Sequence, residues 1–447
     1  MASDAPTDRS SSRRSRWRDW LSIDIAVLLA VAWLLIGPRV ELIPFASSSI
    51  RLEDVIFVAL AIFVAVSGWR RIRDTLGTGM LIATAGVLAV GLISATLGVI
   101  SGRVEIAPSL LYALRPLEYW IVLPAVLLGL RTVAGRTRRI VLMLGAVTVL
   151  QTSVGMLQIA GIPIGFSKFT YERAAGLTAG PYELGAICAM LACFWLFRRQ
   201  YVLAVVALAG LVASQSRVSI VAVAFGLVVL LLGVRKAVAR TLSGLWRNHR
   251  ATVLLVGGGL LVVSVATVTW FGAPVVDRLA GTSIFAAWED AQRFSQSIPP
   301  PATAEDFGRV AYGQIDVVLQ GALIDDVSNV VRFFRWQLLI AAIAASPLAV
   351  FFGLGPSFAG PSVDGSFLRI VVEFGLAGLA AWGYWLYRSV QGARVWILAV
   401  LTTLLIGSAV IDLLFALRPM VLFWFLVAVA WLDAPSRRRS DLEGSDA

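Results

Sequence analysis

The sequence predicts an all-α integral membrane protein of about twelve transmembrane helices, interrupted by one large charged loop. Three observations predict it. The 447 residues are 58% hydrophobic and only 15% charged, whereas a soluble domain is nearer half apolar and a quarter charged. The apolar residues fall into runs near the roughly 20 residues that cross a bilayer. The basic residues gather in every second connection, the asymmetry that holds basic loops in the cytoplasm.

A basic tail of residues 1–20, with Arg9, Arg13, Arg14, Arg16 and Arg18, precedes the first run, Leu21–Gly37. That run lacks a small-residue cleavage site and reads as an anchor. Within residues 21–271 follow Leu52–Trp69, Gly79–Ile100, Leu110–Leu130, Ile140–Ala160, Pro181–Phe197, Tyr201–Ala213, Val218–Val234 and Thr252–Phe271. The charged loop occupies residues 272–346. Its last part, Val330 to Ala345, mixes aromatics, arginines and apolar residues as an amphipathic helix on the bilayer surface does. Residues 347–432 hold a re-entrant stretch and the spans Ser366–Tyr387, Val395–Leu414 and Pro419–Leu432, and residues 433–447 form a second basic tail.

With the N-terminus inside, inner connections carry Arg70, Arg71 and Arg73, then Arg131, Arg136, Arg138 and Arg139, then Arg198 and Arg199. Later ones carry Arg235, Lys236, Arg240, Arg247 and Arg250, then Arg388 and Arg394. Outer connections mix signs, as in Arg39 with Glu41, Glu53 and Asp54, or Lys168 with Glu172 and Arg173. Both ends are therefore expected in the cytoplasm and the large loop outside.

The +11 net charge does not point to nucleic acid, because its arginines flank apolar runs, where they set topology and attract anionic lipid. Cys188 and Cys193 share one run at a spacing that does not stack them on a helix face, so they read as small buried hydrophobes. The lone His249 offers no metal site, since zinc takes three or four ligands. The sequence holds no nucleotide-binding glycine motif, metal-ligand cluster or internal repeat.

Candidate chemistry rests on outer-side arginines. Arg173 precedes Gly180-Pro181, where a proline-started helix leaves its first amides available to an anion. Arg217 sits in the short turn Ser214-Gln215-Ser216-Arg217, and Arg332 and Arg335 lie in Val331-Arg332-Phe333-Phe334-Arg335-Trp336. A guanidinium fork binds phosphate oxygens bidentately and stays charged, and charges at membrane depth are costly enough to mark function.

Four strings stand in order around the loop. They are Arg173-x-x-Gly176 with Pro181, Ser216-Arg217, Arg332-x-x-x-Trp336 running on to Gly353-Leu354-Gly355, and Asp364-Gly365-Ser366-Phe367-Leu368 leading to Glu373-Phe374-Gly375. Over approximately residues 165 to 385 the chain resembles the O-antigen ligase and polymerase family, the Wzy-type polysaccharide polymerases and their relatives. The resemblance implies a GT-C-like fold and an inverting, metal-independent glycosyltransferase that needs no cofactor. Such an enzyme passes a glycan from undecaprenyl diphosphate to an acceptor hydroxyl, on the extracytoplasmic side of the bacterial cytoplasmic (inner) membrane, in cell-surface polysaccharide and exopolysaccharide biosynthesis. Its implied partners are the lipid-linked glycan donor, a glycan or lipid-linked acceptor, membrane lipids, and a flippase or chain-length regulator. The matching Arg173, Arg217 and Arg332, with Arg335 beside them, would hold the diphosphate.

Ligases of that family carry a histidine where Asp364 stands. The aspartate can accept a hydroxyl proton or hydrogen-bond the acceptor, and the departure favours a polymerase-like role. The rival reading of Asp364 is a salt bridge to Arg369 or another outer arginine. Glu183 and Glu373 are expected to pair with arginines, and Asp412 with Arg418. Trp382 and Trp385 are expected to pack or to sit at the interface. Rival functions are a GT-C transferase using a polyprenyl monophosphate sugar with Asp54 as base, and a twelve-helix transporter. The unequal halves of the chain argue against the transporter. Reporter fusions should place residue 290 outside and residues 135 and 245 inside; a cytoplasmic residue 290 overturns this topology.

Overall fold

The computed structural model describes residues 23–38, 40–45, 48–130, 135–165, 173–248, 284–315, 318, 327–360 and 363–433. These residues are almost entirely helical. We number the elements α1 (Ile23–Ile36), β1 (Glu41–Phe45), β2 (Ser48–Arg51), α2 (Leu52–Val66), α3 (Trp69–Leu76), α4 (Thr78–Ile100), α5 (Ile106–Trp120) and α6 (Val122–Leu130). Then come α7 (Arg136–Ile159), α8 (Pro181–Phe197), α9 (Tyr201–Ser214), α10 (Arg217–Asn248), α11 (Ile284–Ser295), α12 (Ala304–Gly313) and α13 (Val327–Ala344). The last are α14 (Pro347–Phe352), α15 (Ser366–Val390), α16 (Val395–Ser408) and α17 (Leu417–Leu432).

Among the described residues, four helical stretches are long and apolar enough to cross a membrane: α4, α5 with α6 (Ile106–Leu130), α7 and α15. The pair α2 and α3 passes as a fifth span bent by 99°, at Gly68. Every sequence window within the described residues overlaps a helix, and the others fall on shorter apolar helices. The window Thr252–Phe271, the tails of residues 1–20 and 434–447, and His249, Lys168, Glu172 and Arg131 lie outside the described residues.

One element departs from the all-α expectation. β1 and β2 form an antiparallel hairpin with Ile43 opposite Ile50 and Phe45 opposite Ser48. The run is rich in β-branched and aromatic residues, and a lone hairpin is all edge, so Pro44 is tolerated there.

α8 and α17 are apolar on every side and buried almost throughout, which a helix can be only at the centre of a bundle. α1, α6, α9, α10 and α16 pack around them. The ring helices turn Leu29, Val58, Ile62, Ile82, Val202 and Phe225 outward, as a lipid-facing surface requires.

A second core lies apart from the bundle. It joins Ala287 and Ala291 of α11, Phe307 and Ala311 of α12, Val330, Phe334, Leu338 and Leu339 of α13, and Phe358, Ala359 and Val363. The expected surface helix near Val330–Ala345 is therefore α13 with its apolar stripe set against protein, because α11 and α12 cover Val330, Phe334 and Leu338 at i, i+4 and i+8. Arg103, in the turn between α4 and α5, fastens this cap to the bundle. Its Nη2 donates to Ser346 Oγ at 2.9 Å and its carbonyl accepts from Ala304 N–H at 2.8 Å.

Between cap and bundle, residues 353–360 and 363–365 run as irregular chain. They lie against a break in α15, where Gly375 has φ 70° and ψ −170°. The break frees backbone carbonyls, and new donors take them: Leu354 N–H reaches Val372 O at 2.7 Å and Ser94 Oγ reaches Glu373 O at 2.5 Å. Irregular backbone inside such a bundle persists only when its polar groups are satisfied this way. Two glycines allow the approach, because a Cβ on Gly353 would stand 2.3 Å from the Glu373 carbonyl and one on Gly375 2.2 Å from the Phe351 carbonyl. Gly353→Ala should therefore destabilise the protein by roughly 2–3 kcal/mol, as overpacking does. Gly102→Ala, at φ +67° with open space around it, should cost roughly 1 kcal/mol. Equal melting-temperature losses for the two variants in detergent would refute the interlock.

Candidate functional site

The chain folds Asp364 into the left-handed region at φ 57°, a conformation that aspartate visits more readily than most residues. Asp412 holds it there. Its Oδ2 accepts from Val363 N–H at 2.8 Å and its Oδ1 from Gly365 N–H at 3.3 Å, so one carboxylate clips the amides on both sides of Asp364. Trp336 Nε1 donates to Val363 O at 3.0 Å from the cap side. Ser366, at the start of α15, donates to Ile411 O at 3.0 Å and accepts from Leu414 N–H at 3.1 Å.

Arg369 extends the clip. Nη1 reaches Asp412 Oδ2 at 3.1 Å, Nε reaches Glu373 Oε1 at 3.4 Å, and Nη2 donates to Gly360 O. Glu373 Oε1 also accepts from Ala359 N–H at 3.3 Å. Arg369 and Glu373 are buried, so the turn carrying Asp364 rests on a fixed ionic scaffold.

Asp364 faces the cap. Its Oδ2 lies 3.9 Å from Arg332 Nε and 3.9 Å from Arg335 Nη1, distances of ion pairs rather than hydrogen bonds. Both arginines stand on α13 three residues apart, on one face of the helix. Arg332 Nη1 donates to Asn329 Oδ1 at 2.6 Å, while its buried Nε makes no hydrogen bond among the described residues. Arg335 lies over the Tyr312 ring at 4.6 Å and donates Nε to Ala311 O at 3.4 Å.

Arg173 approaches from the bundle side. Its guanidinium lies 4.8 Å from the centre of the Tyr182 ring, with Nη1 3.4 Å from the Tyr182 hydroxyl and Nη2 3.3 Å from Gln215 O. Its Nε is buried without a hydrogen bond among the described residues. Tyr182 also lies within electrostatic reach of Arg332 and Asp364, which joins the two sides. Arg217 opens α10 two residues after Gln215, whose φ of 49° turns the chain between α9 and α10. The structure thus gathers Arg332, Arg335 and Asp364 directly, brings Arg173 in through Tyr182, and sets Arg217 beside the turn that Arg173 binds.

The loop before α8 is sewn to α7 by two amides. Gln158 Oε1 accepts from Ala175 N–H at 2.9 Å and Gly176 N–H at 2.8 Å, and Gln151 Oε1 accepts from Leu177 N–H at 2.8 Å. α8 starts at Pro181 as its sequence suggests. Glu183 pairs with Arg418 at 3.8 Å and Glu373 with Arg369, as expected of both carboxylates. The expected pairing of Asp412 with Arg418 is corrected: Asp412 serves Arg369 and the Asp364 turn, and Arg418 Nη2 also donates to Gly37 O at 2.6 Å. The two were read as bracketing one turn, but the chain through 3₁₀ residues Leu413–Phe415 sends them to different neighbours. Asp364 faces α13 and not Arg369, whose donors are committed elsewhere. Asp54, the base of the rival reading, accepts from Arg51 N–H at 2.8 Å as a cap of α2. Trp382 and Trp385 are buried, Trp385 donating Nε1 to Thr84 Oγ1 at 2.9 Å.

Sequence reasoning missed Tyr182, Gln151, Gln158 and the clip by Asp412. The glutamines were legible as amides seven residues apart, on one face of an apolar helix. No protein-family model and no curated protein matches this chain.

Hydrogen–deuterium exchange tests the clip. In Asp412→Ala the amides of Val363 and Gly365 should exchange about tenfold faster or more, since loss of one such bond is worth about 1–3 kcal/mol at a charged acceptor. In Asp364→Ala they should stay protected, and unchanged exchange in Asp412→Ala would refute the arrangement.

Proposed function

We propose that this protein is a membrane glycosyltransferase that moves a glycan from a polyprenyl diphosphate, undecaprenyl diphosphate in bacteria, to an acceptor hydroxyl, in the manner of O-antigen polymerases and ligases. The observation that carries it is the pair Arg332 and Arg335 facing Asp364, with Arg173 reaching toward them through Tyr182, in which Arg173 and Arg332 keep buried N–H groups that no described residue satisfies. Buried donors are ordinarily satisfied, and a diphosphate supplies acceptor oxygens of the matching charge. Arg115, Arg198 and Arg418 share that feature, but Arg198 and Arg418 face Asp433 and Glu183.

The geometry supports the following roles. Arg332 and Arg335 approach from the cap, Arg173 and Arg217 from the bundle, and a diphosphate between them is held from both sides. The acceptor oxygen attacks the anomeric carbon while that carbon's bond to the diphosphate oxygen breaks with inversion. The electron pair leaves on the diphosphate, whose growing charge the guanidiniums stabilise. Asp364 orients the acceptor hydroxyl and takes its proton. None of these steps calls for a metal or a cofactor.

The reading includes a GT-C-like fold of about twelve spans with both ends cytoplasmic. The site then opens outside the bacterial cytoplasmic membrane, where cell-surface polysaccharide is assembled and membrane-bound partners meet the enzyme.

Transfer from a lipid-diphosphate glycan by membranes holding each variant tests it. Arg173→Ala, Arg217→Ala and Arg332→Ala should each lower transfer about 100-fold or more, with normal protein levels. The lysine variants should recover little, because lysine lacks the fork. Full activity in two of the three alanine variants sinks the diphosphate assignment. Transfer should persist in EDTA, and a strict divalent-metal requirement would favour the monophosphate-sugar rival. Asp364→Asn and Asp364→Ala should both be impaired; if both match the parent, Asp364 has no part in the chemistry.

A further inference from the structure

We infer that the groove between α11 and α13 is a subsite for the uncharged part of an oligosaccharide, separate from the arginine cluster. It encloses about 330 Å³ and is lined by Trp288, Gln292, Ser295, Gln296, Gln337 and Ala341, among others. This cap is rich in charge, yet among the described residues none that lines the groove is ionisable. On α11, Arg293 pairs with Asp290 three residues before it.

The lining suits a pyranose chain. A sugar ring offers an apolar C–H face and a rim of hydroxyls that both donate and accept. Trp288 supplies an aromatic body with a polar tip, and each glutamine amide supplies both donor and acceptor. The Trp288 indole N–H and the Gln292 and Gln296 amides make no hydrogen bond among the described residues. The wall behind them is set in place: Gln337 Nε2 donates to Trp288 O at 3.0 Å and its Oε1 accepts from Ser295 Oγ at 2.6 Å. Trp288 packs edge-on against Phe333, at 5.6 Å between ring centres. Uncommitted amides beside a fixed aromatic wall are a hydroxyl-reading surface, whereas a peptide groove would offer a sheet edge or an apolar trough.

Position ties the groove to the transfer centre. On α13, Phe333, Gln337 and Ala341 form one stripe at i, i+4 and i+8, facing α11. Arg332 and Trp336 form the neighbouring stripe, one residue behind, and meet the Asp364 turn. At 1.5 Å rise per residue, the groove lies roughly 8–14 Å along the helix from Arg332, a span of a few sugar units. A glycan held by its diphosphate at the arginines has its further sugars within reach of Trp288. The inference rests on the transferase reading for which glycan arrives, but not for binding itself.

The test uses the full chain in lipid nanodiscs. It is titrated with short uncharged oligosaccharides of the gluco, manno, galacto and N-acetylglucosamine series, with oligogalacturonate and a Gly-Ser peptide as comparators. Saturation-transfer difference NMR reads binding. At least one neutral series should bind saturably, and the double variant Gln292→Ala/Gln296→Ala should bind it about tenfold more weakly. Both side chains are exposed and hold nothing together, so this variant keeps its fold. No neutral binding by the parent, equal binding by the double variant, or preferential binding of the acidic or peptide comparator overturns the inference. Neutral binding by a parent that shows no transfer would refute the donor reading and leave this subsite standing.

Discussion

Arg369 is the interaction on which the irregular part of this structure depends. Its guanidinium is 2% exposed, and moving such a charge out of water costs several kcal/mol unless partners replace the lost hydration. The chain supplies three: Asp412 from the connection before α17, Glu373 one turn along α15, and the carbonyl of Gly360. Both carboxylates then have a second duty. Asp412 clips the amides around Asp364, and Glu373 accepts from Ala359 N–H. Removing the guanidinium would leave two carboxylates facing each other and a re-entrant strand without anchors. The pairing adds little net stability compared with an apolar replacement; its consequence is that Ala359, Gly360 and residues 363–365 have one arrangement.

Two ways of holding arginine coexist a few residues apart, and the contrast separates scaffold from site. Arg369 spends all three nitrogens on protein. Arg332 and Arg335 share one carboxylate at 3.9 Å, and Arg173 leans on an aromatic ring, a hydroxyl and a carbonyl at hydrogen-bond limits. Among the described residues one carboxylate serves both Arg332 and Arg335 and none contacts Arg173, and an anion is the natural complement of such a site. Left-handed backbone at Gln215 and Asp364 adjoins these arginines, Gln215 beside Arg173 and Asp364 beside Arg332 and Arg335. Such conformations persist where the surroundings over-determine them, and they concentrate at functional sites.

The helices were legible because lipid imposes a strict rule: each apolar window in the described residues had to be a helix to satisfy its own backbone. Lengths were less legible. Pro116 and Pro124 let α5 and α6 meet at Trp120 and Val122, and the Gly68 bend splits Leu52–Leu76 into α2 and α3. The hairpin at Glu41–Arg51 escaped because a period-two signal over five residues is weak beside long apolar runs. The arginines and Asp364 could be named from their placement beside apolar helices. Their mutual geometry could not, because it depends on contacts between residues far apart in sequence, such as Asp412 with Val363 and Trp336 with that same residue. Asp412 was read as the partner of Arg418 since closeness in sequence is the only proximity a sequence displays. α13 looked like a surface helix for a related reason: an apolar stripe shows that something covers it, but not whether lipid or protein does.

The site stands where two separately built cores meet. The bundle core fixes Arg173 and Arg217, through Gln151 and Gln158 on α7 and the turn after α9. The cap core fixes Arg332 and Arg335, through the buried stripe of α13. Asp364 belongs to the strap between them, tied to the bundle by Asp412 and to the cap by Trp336. Tyr182 approaches from the bundle side, in contact with Arg173 and within electrostatic reach of Arg332 and Asp364. Within each core, interdigitated side chains leave little room for adjustment. Any change in the spacing of the two arginine pairs must therefore come from cap against bundle, along the strap. Across that seam Arg103 and Trp336 make hydrogen bonds of 2.8 to 3.0 Å, while the contacts of Asp364 to Arg332 and Arg335 are long, ion pairs at 3.9 Å. A phosphate group bridging the seam would convert those long ion pairs into direct hydrogen bonds on both sides, and the two halves would then be joined by the ligand itself.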